Sequence, residues 1–404
     1  MKIRFECVCA ALVLGAALGM AHAGPRKVEI VAEWNRLSFD LGDKAAEKAY
    51  DEQQTYKKVL MQGVKADSKD NLYVSTARWG GKEVPATLSK LVRKGTEWKL
   101  QPFPSKSMND VNNPRGLKAV LGFEIDRNDV MWILDQGHVA GAPSGPGDEK
   151  LIAWDLRAGK EIARYEFKDS DTDKKCSFLN DVVVDNDAGV VYISDSGIFC
   201  DPLKGGLIVY DIRSGQAKRV LSAPEWVNNE EYQFKINGRD VLKPVDGKPN
   251  GMKTGADGIA LSGDKKTLYW TNLTGNRLLS LPTDLIRDFS KSEDDVKSAV
   301  KVVATLPSNT DGMTSDRMGN LYMTALSLNG IMKRDAATGA ITTWFSHEDI
   351  SWPDTLAWGP GGSLYLVSNH LHMWVDGDMD FDNPAVPNFR IYRTSTQAQP
   401  YHAK

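Results

Sequence analysis

Five polar residues stand at the same kind of place in this chain: Asn180, Asp181, Asp257, Asp311 and Asp354 each lie where a short run of mostly apolar residues begins. Carboxylate and amide oxygens gathered from four separate segments repel one another unless a cation or a proton relieves them. Such a group suits two chemistries. Its negative potential concentrates an ammonium group, or its oxygens hold a hard divalent cation such as calcium or magnesium, which would act as a Lewis acid on a carbonyl. Phe123, Trp79 and Trp352 could supply aromatic walls and cation-π contacts to a small molecule held there. Taken singly, each Asp or Asn also suits a plain local role, the capping of a turn.

Other constellations carry less. His370 and His372 would share one face of a strand, a spacing seen in metal sites, but no third ligand stands near them, so they read as two core or surface histidines. The run Asp376, Asp378, Asp380 and Asp382 lacks the bidentate glutamate and the glycine of a calcium loop, and reads as a solvated loop. The glycines between Gly141 and Gly147 have no Lys-Ser/Thr sequel, so they give no phosphate loop. The chain also shows no Gly-x-Ser-x-Gly elbow and no histidine-paired cysteine nucleophile.

The elements that must position the five polar residues recur six times. A strand of aromatic and β-branched residues, usually opened by a turn with Asp, Asn or Gly, appears at 71–75, 130–135, 190–195, 267–271, 320–324 and 363–368. Before each turn stands a second strand, at 63–67, 122–126, 181–185, 258–262, 312–316 and 355–359. Third strands such as 151–155 and 206–211, and fourth strands such as 162–167, 217–221 and 341–345, complete four-stranded units of roughly 63 residues. The pattern predicts an all-β, six-bladed β-propeller, whose innermost strands converge on one channel mouth and bring the five residues together. A sandwich offers no reason for the phrase to return. Ring closure requires the early strand 28–32 to pair beside the last unit, since an open ring leaves exposed edges. Two segments break the rhythm: a polar insertion from Pro224 to Lys253, and 283–300, whose spacing predicts one surface helix after a Thr283 cap.

The ends and composition bound the setting. Lys2 and Arg4, an apolar run from Val8 to Met20 and Ala21-His22-Ala23 predict a secretory leader over residues 1–23, too short to span a bilayer, with the propeller in 24–404. The expected location is periplasmic or extracellular, free of the membrane once the leader is cleaved. Fifty basic against 53 acidic residues give no footprint for nucleic acid or anionic lipid. Beyond Cys7 and Cys9 in the leader, Cys176 and Cys200 flank a hairpin turning at 186–189, nearly opposite each other, which predicts a disulfide with Cα atoms about 5.5 Å apart. A pair of free, metal-binding thiols is the alternative.

Several phrases together resemble the yellow / major royal jelly family, which has many bacterial members: Gly122-Phe123-Glu124-Ile125-Asp126 with Met131 to Gly137, Asn180 to Asp185 with Tyr192 to Gly197, Thr283 to Asp288, Asp316 to Tyr322, Trp352-Pro353-Asp354-Thr355 and Asn388 to Ile391. They run in family order from about Phe123 to the C-terminus. The resemblance implies a six-bladed propeller, and its insect members include binders of biogenic amines, pigmentation proteins and a storage protein. From amine-binding members it carries two ligand contacts onto Thr355 and Asn369. The single expected cysteine pair departs from insect relatives, which commonly carry more. Gluconolactonase-like propellers are related in architecture, and by position they point to Asn180 and Asp257 as metal ligands, although Gln62-Gly63-Val64 stands where a glutamate ligand is expected. Two function classes follow: an exported binder of a small, amine or aromatic ligand at the channel mouth, or an enzyme, either a metal-dependent lactone hydrolase or a dopachrome-tautomerase-like protein.

Overall fold

A computed structural model describes residues 28–248 and 250–403. Within them the recurring phrase has a recurring cause. Asp67 accepts hydrogen bonds from the backbone of Lys69 and Asn71, from the Asn71 amide and from the Tyr73 hydroxyl. Asp316 repeats the set with Met318, Asn320 and Tyr322, and Asp126 varies it with Asn128, Val130 and the Trp132 indole. One carboxylate thus closes the turn and ties down the aromatic residue of the next strand, so turn chemistry and apolar alternation fix the same register.

Six four-stranded sheets result, here called blades 1 to 6. Their inner strands are Val64–Ala66, Val120–Ile125, Leu179–Asp185, Ala256–Leu261, Met313–Ser315 and Pro353–Gly359. Each touches the next, and the sixth touches the first. The ring closes through Val28–Trp34, which pairs antiparallel with Phe389–Ser395 as the outermost strand of blade 6. The fold is the six-bladed propeller that the repeats require.

The inner strands are not regular at the mouth. In blades 2, 3, 4 and 6 the pairing slips between Val120 and Phe123, Leu179 and Val182, Ala256 and Ile259, and Pro353 and Leu356. A bulge re-aims the side chains it carries, and these bulges carry Asn180-Asp181, Asp257-Gly258 and Asp354-Thr355. The glycines have a packing reason. A Cβ on Gly258 would lie 2.1 Å from the Asp311 carbonyl oxygen, and one on Gly312 would lie 2.5 Å from that of Asp354. Neighbouring inner strands therefore approach too closely for a side chain there.

Several expectations change. Residues 283–300 form two short helices, Thr283–Arg287 and Glu293–Ser298, with Pro282 rather than Thr283 as the first cap. Asp288 turns the chain by accepting from Ser290, and Ser292 with Asp295 caps the second helix. His370 and His372 do not share a strand face, because the strand ends at Ser368; His370 takes a left-handed backbone and His372 sits in the helix Leu371–Val375. The expected disulfide between Cys176 and Cys200 is present, with Cα atoms 4.9 Å apart just beyond the ends of the hairpin they flank. The insertion carries a small hairpin, Lys235–Ile236 with Arg239–Asp240, and Phe234, Ile236 and Val241 join the cluster around Leu273, Leu326 and Trp352. No helix among the described residues is long and apolar enough to cross a membrane. The expected leader, with Cys7 and Cys9, lies outside the described residues.

Candidate functional site

The two residues before each regular inner strand form two tiers around the mouth. From blade 1 to blade 6 the upper tier reads Gln62, Leu121, Asn180, Asp257, Asp311 and Asp354. The lower tier reads Gly63, Gly122, Asp181, Gly258, Gly312 and Thr355. All the acidic groups fall on blades 3 to 6. Asn180, Asp181, Asp257, Asp311, Asp354 and Thr355 line one cavity of about 380 Å³.

Neutral donors hold this arc. The Asn180 amide donates to Asp257 at 2.7 Å, the Trp352 indole to Asp311 at 2.7 Å, and the Asn369 amide to Asp354 at 2.6 Å. The Thr355 hydroxyl donates to the other Asp354 oxygen at 2.9 Å. Asp257 and Asp311 stand within hydrogen-bond reach of each other. Among the described residues, no lysine, arginine or histidine forms an ion pair with any of the four aspartates; the nearby Lys65 is bonded to Glu124 at 3.1 Å. Burial, reinforced by mutual repulsion, pushes the carboxyls of Asp257, Asp311 and Asp354 well above their ordinary range. Asp181 is pushed up to about 6 by burial, with Lys65 opposing. Burial therefore favours the protonated form along the arc, most of all at the Asp257–Asp311 pair, because ionising two adjacent buried carboxyls together is costly.

Another part of the cavity wall is aromatic. Trp79 packs against Phe178 with ring centres 5.5 Å apart, and Phe178 against Phe199 at 5.6 Å. Gln136 fixes Trp79 by accepting its indole N–H at 3.0 Å. Phe199 is held beside the disulfide, its backbone N–H donating to the Cys176 carbonyl, and His138 stacks on its ring at 4.4 Å. Lys65 also lines the cavity, in a buried ion pair with Glu124. At the other end of the inner strands, Tyr401 is buried against Ser315 and Val184.

Of the residues singled out from the sequence, Phe123 contributes to the cavity wall although 1% exposed. Trp79 and Trp352 also line the cavity. Asn369 does not: it is fully buried, its amide donating to Asp354 and the Met61 carbonyl while its oxygen accepts from Leu371 N. It braces Asp354 from behind. Asn180 and Asp257 do not fit a shared metal, since the Asn180 NH2 faces the Asp257 carboxyl rather than presenting an oxygen. Among the described residues no three His, Cys, Asp or Glu side chains are arranged to hold a metal ion. Asp376 and Asp378 are not a free solvated run, because both pair with Arg239. Sequence reasoning missed Lys65 and Glu124, whose signal was a charge in mid-strand where the other blades carry Val183, Ala260, Thr314 and Ala357. It also missed Phe178 and Phe199, which come from loops outside the repeat, and Trp374, in the helix Leu371–Val375.

Comparison with known proteins agrees with this architecture. The pattern of the major royal jelly protein family matches residues 119–402. Major royal jelly protein 1 of Apis mellifera is 25% identical over 313 residues, covering 72% of this chain and 67% of that protein. Protein yellow of Drosophila melanogaster is 22% identical over 357 residues, covering 80% of this chain and 60% of that protein. The chain spans about half to two thirds of the length of such relatives. Among solved structures, a luciferin-regenerating enzyme superposes with a TM-score of 0.51 at 14% identity, covering 94% of this chain and 99% of that one. A gluconolactonase-like protein gives 0.51 at 12% identity, covering 94% of each; at such identities the likeness speaks for the fold alone. With the family pattern running from the first inner strand of blade 2 to the residues packed beneath the channel, the chain belongs to the major royal jelly protein family.

Proposed function

We propose that the cavity binds a small organic cation with an aromatic body, without obligatory chemistry. One observation carries the reading: three buried carboxyl groups without a cationic partner, Asp257, Asp311 and Asp354, with Asp181 beside Lys65, share one cavity with the rings of Trp79, Phe178 and Phe199. Uncompensated buried carboxyls are costly, and an ammonium group would compensate them while its ring stacks on Trp79 and Phe178. The disulfide supports export to an oxidising compartment. The lactone-hydrolase alternative needs a divalent ion at Asn180 and Asp257, and the donor set described above does not favour it.

Calorimetric titration with serotonin, dopamine and related amines tests the reading. Micromolar binding that tightens as pH rises from about 5 to about 7 is expected, because Asp181, pushed up to about 6, ionises over that range and the cation favours the ionised form. Asp354→Asn should weaken it about tenfold or more, as expected for a lost charge-assisted hydrogen bond. Absence of heat from every amine, or binding unchanged in Asp354→Asn, would reject the proposal.

A further inference from the structure

The opening of the cavity has two lips from opposite parts of the ring. Met252 lies at the end of the insertion between blades 3 and 4 with Thr254 just beyond it, and Trp374 and Val375 end the helix Leu371–Val375 of blade 6. The insertion crosses blade 5 to reach that helix. Its hairpin lies along the 3-10 turn Leu326–Leu328, and the Asn237 amide donates to the Ser351 hydroxyl at 3.3 Å. At its far side Arg239 bonds Asp376 at 2.7 Å and also Asp378. Lys243 bonds Asp378 at 2.5 Å, and its backbone N–H donates to Asp376 at 3.0 Å. Asp376 follows Val375 directly, so these bonds tie one lip to the other.

We propose that the ion pairs joining Arg239 and Lys243 to Asp376 and Asp378 are a latch that sets the aperture of the cavity, and that exchange of its occupant requires them to part. The apolar residues of the insertion, Phe234, Ile236 and Val241, are buried against the mouth and keep the strap seated. The charged pairs lie at its edge: Lys243 is 52% exposed, Arg239 33% and Asp378 31%, while Asp376 is only 6% exposed, so salt acts first on the two bonds to Asp378. Pairs at such exposure are screened by salt, so the latch loosens with ionic strength while the strap stays anchored. The inference rests on the cavity being a binding site, but it does not require that the occupant be an amine.

The test uses a probe that needs no natural ligand. Thr254→Cys, in full-length protein with Cys7 and Cys9 replaced by serine, places a thiol on the cavity wall, and its rate of modification by a small neutral methanethiosulfonate reports access. Adding R239S with K243S should raise the rate about tenfold, and raising salt from about 0.05 to about 0.5 M should do so in the parent while leaving the double variant unchanged. The salt response of the parent keeps the test valid if the double variant fails to fold. Lys235→Ser, which removes the exposed Lys235–Asp240 pair of the same hairpin, should leave the rate unchanged. Equal rates in parent and double variant with no salt response, or an acceleration as large from Lys235→Ser, would overturn the latch. Failure of amine binding shows only in calorimetry, so the two ideas fall separately.

Discussion

Blades 1 and 2 and blades 3 to 6 present the same two backbone positions to the channel mouth and fill them with opposite chemistry. On blades 1 and 2 stand Gln62-Gly63 and Leu121-Gly122; on the others stand Asn180-Asp181, Asp257-Gly258, Asp311-Gly312 and Asp354-Thr355. The scaffold is repeated but the charge is not. Blades 1 and 2 contribute Trp79 and Phe123 with the Lys65–Glu124 pair, so the cavity has an apolar side and an anionic side. A symmetric ring of six carboxyls would bind a centred ion. An arc and a wall in one cavity give a bound molecule a direction, with its charge toward one and its ring toward the other.

The largest effect should come from abolishing that asymmetry. Leu121 is 8% exposed and occupies the upper-tier position of blade 2. Leu121→Asp would bury a fifth carboxyl beside four that form no ion pair, at a cost of about 4 kcal/mol at pH 7. Because the new group is held neutral only by protonation, the ionisation part of this loss should vanish near pH 3, where the unfolded chain is mostly protonated too. Urea unfolding at the two pH values checks it, and a pH-independent loss would mean that the leucine matters for packing alone.

A smaller effect, of opposite sign, should follow from relieving the arc. Asp181 has its carboxyl raised from 3.8 to about 6. Its unfolded form loses the proton first, so between those values the folded state binds more protons and stability falls as pH rises. Asp181→Asn removes this loss and should stabilise the protein by about 2 to 3 kcal/mol above pH 6, with no gain near pH 3. A gain equal at both pH values would place the effect in hydrogen bonding rather than in ionisation.

The same contrast explains what could be read from the sequence. The blades were legible because each repeats one local device, an aspartate turn followed by an aromatic strand, and local devices need no knowledge of the partner strand. The acidic arc was legible for a related reason: Asp257, Asp311 and Asp354 hold the same offset from their strands, so a ring follows once blades are granted. The aromatic wall was not. Phe178 and Phe199 lie in the connections flanking the inner hairpin of blade 3, in loops that obey no repeat, and only the disulfide and the closed ring bring them against Trp79. Asn369 shows the converse. The family likeness pointed to its position, but the register of the last blade turns its amide inward onto Asp354.

Thr355 and Asn369, paired by that likeness, can be told apart by the smallest of these effects. The Thr355 hydroxyl donates its one proton to Asp354 yet keeps lone pairs toward the cavity that it lines. An ammonium group on the anionic side can therefore donate to Thr355 and Asp354 together. Thr355→Val keeps the branched shape and removes only the oxygen, so amine affinity should fall about fivefold, near 1 kcal/mol, while the unfolding midpoint hardly moves. Asn369→Ala should do the reverse. It strands the Met61 carbonyl, the Leu371 N–H and one Asp354 oxygen in the interior, lowering stability by about 2 kcal/mol, and it should affect affinity only as far as Asp354 shifts. Calorimetry and urea unfolding on both variants separate the roles. Equal affinity losses at unchanged stability would return Asn369 to the cavity and show that the anionic side reaches further around blade 6 than its hydrogen bonds indicate.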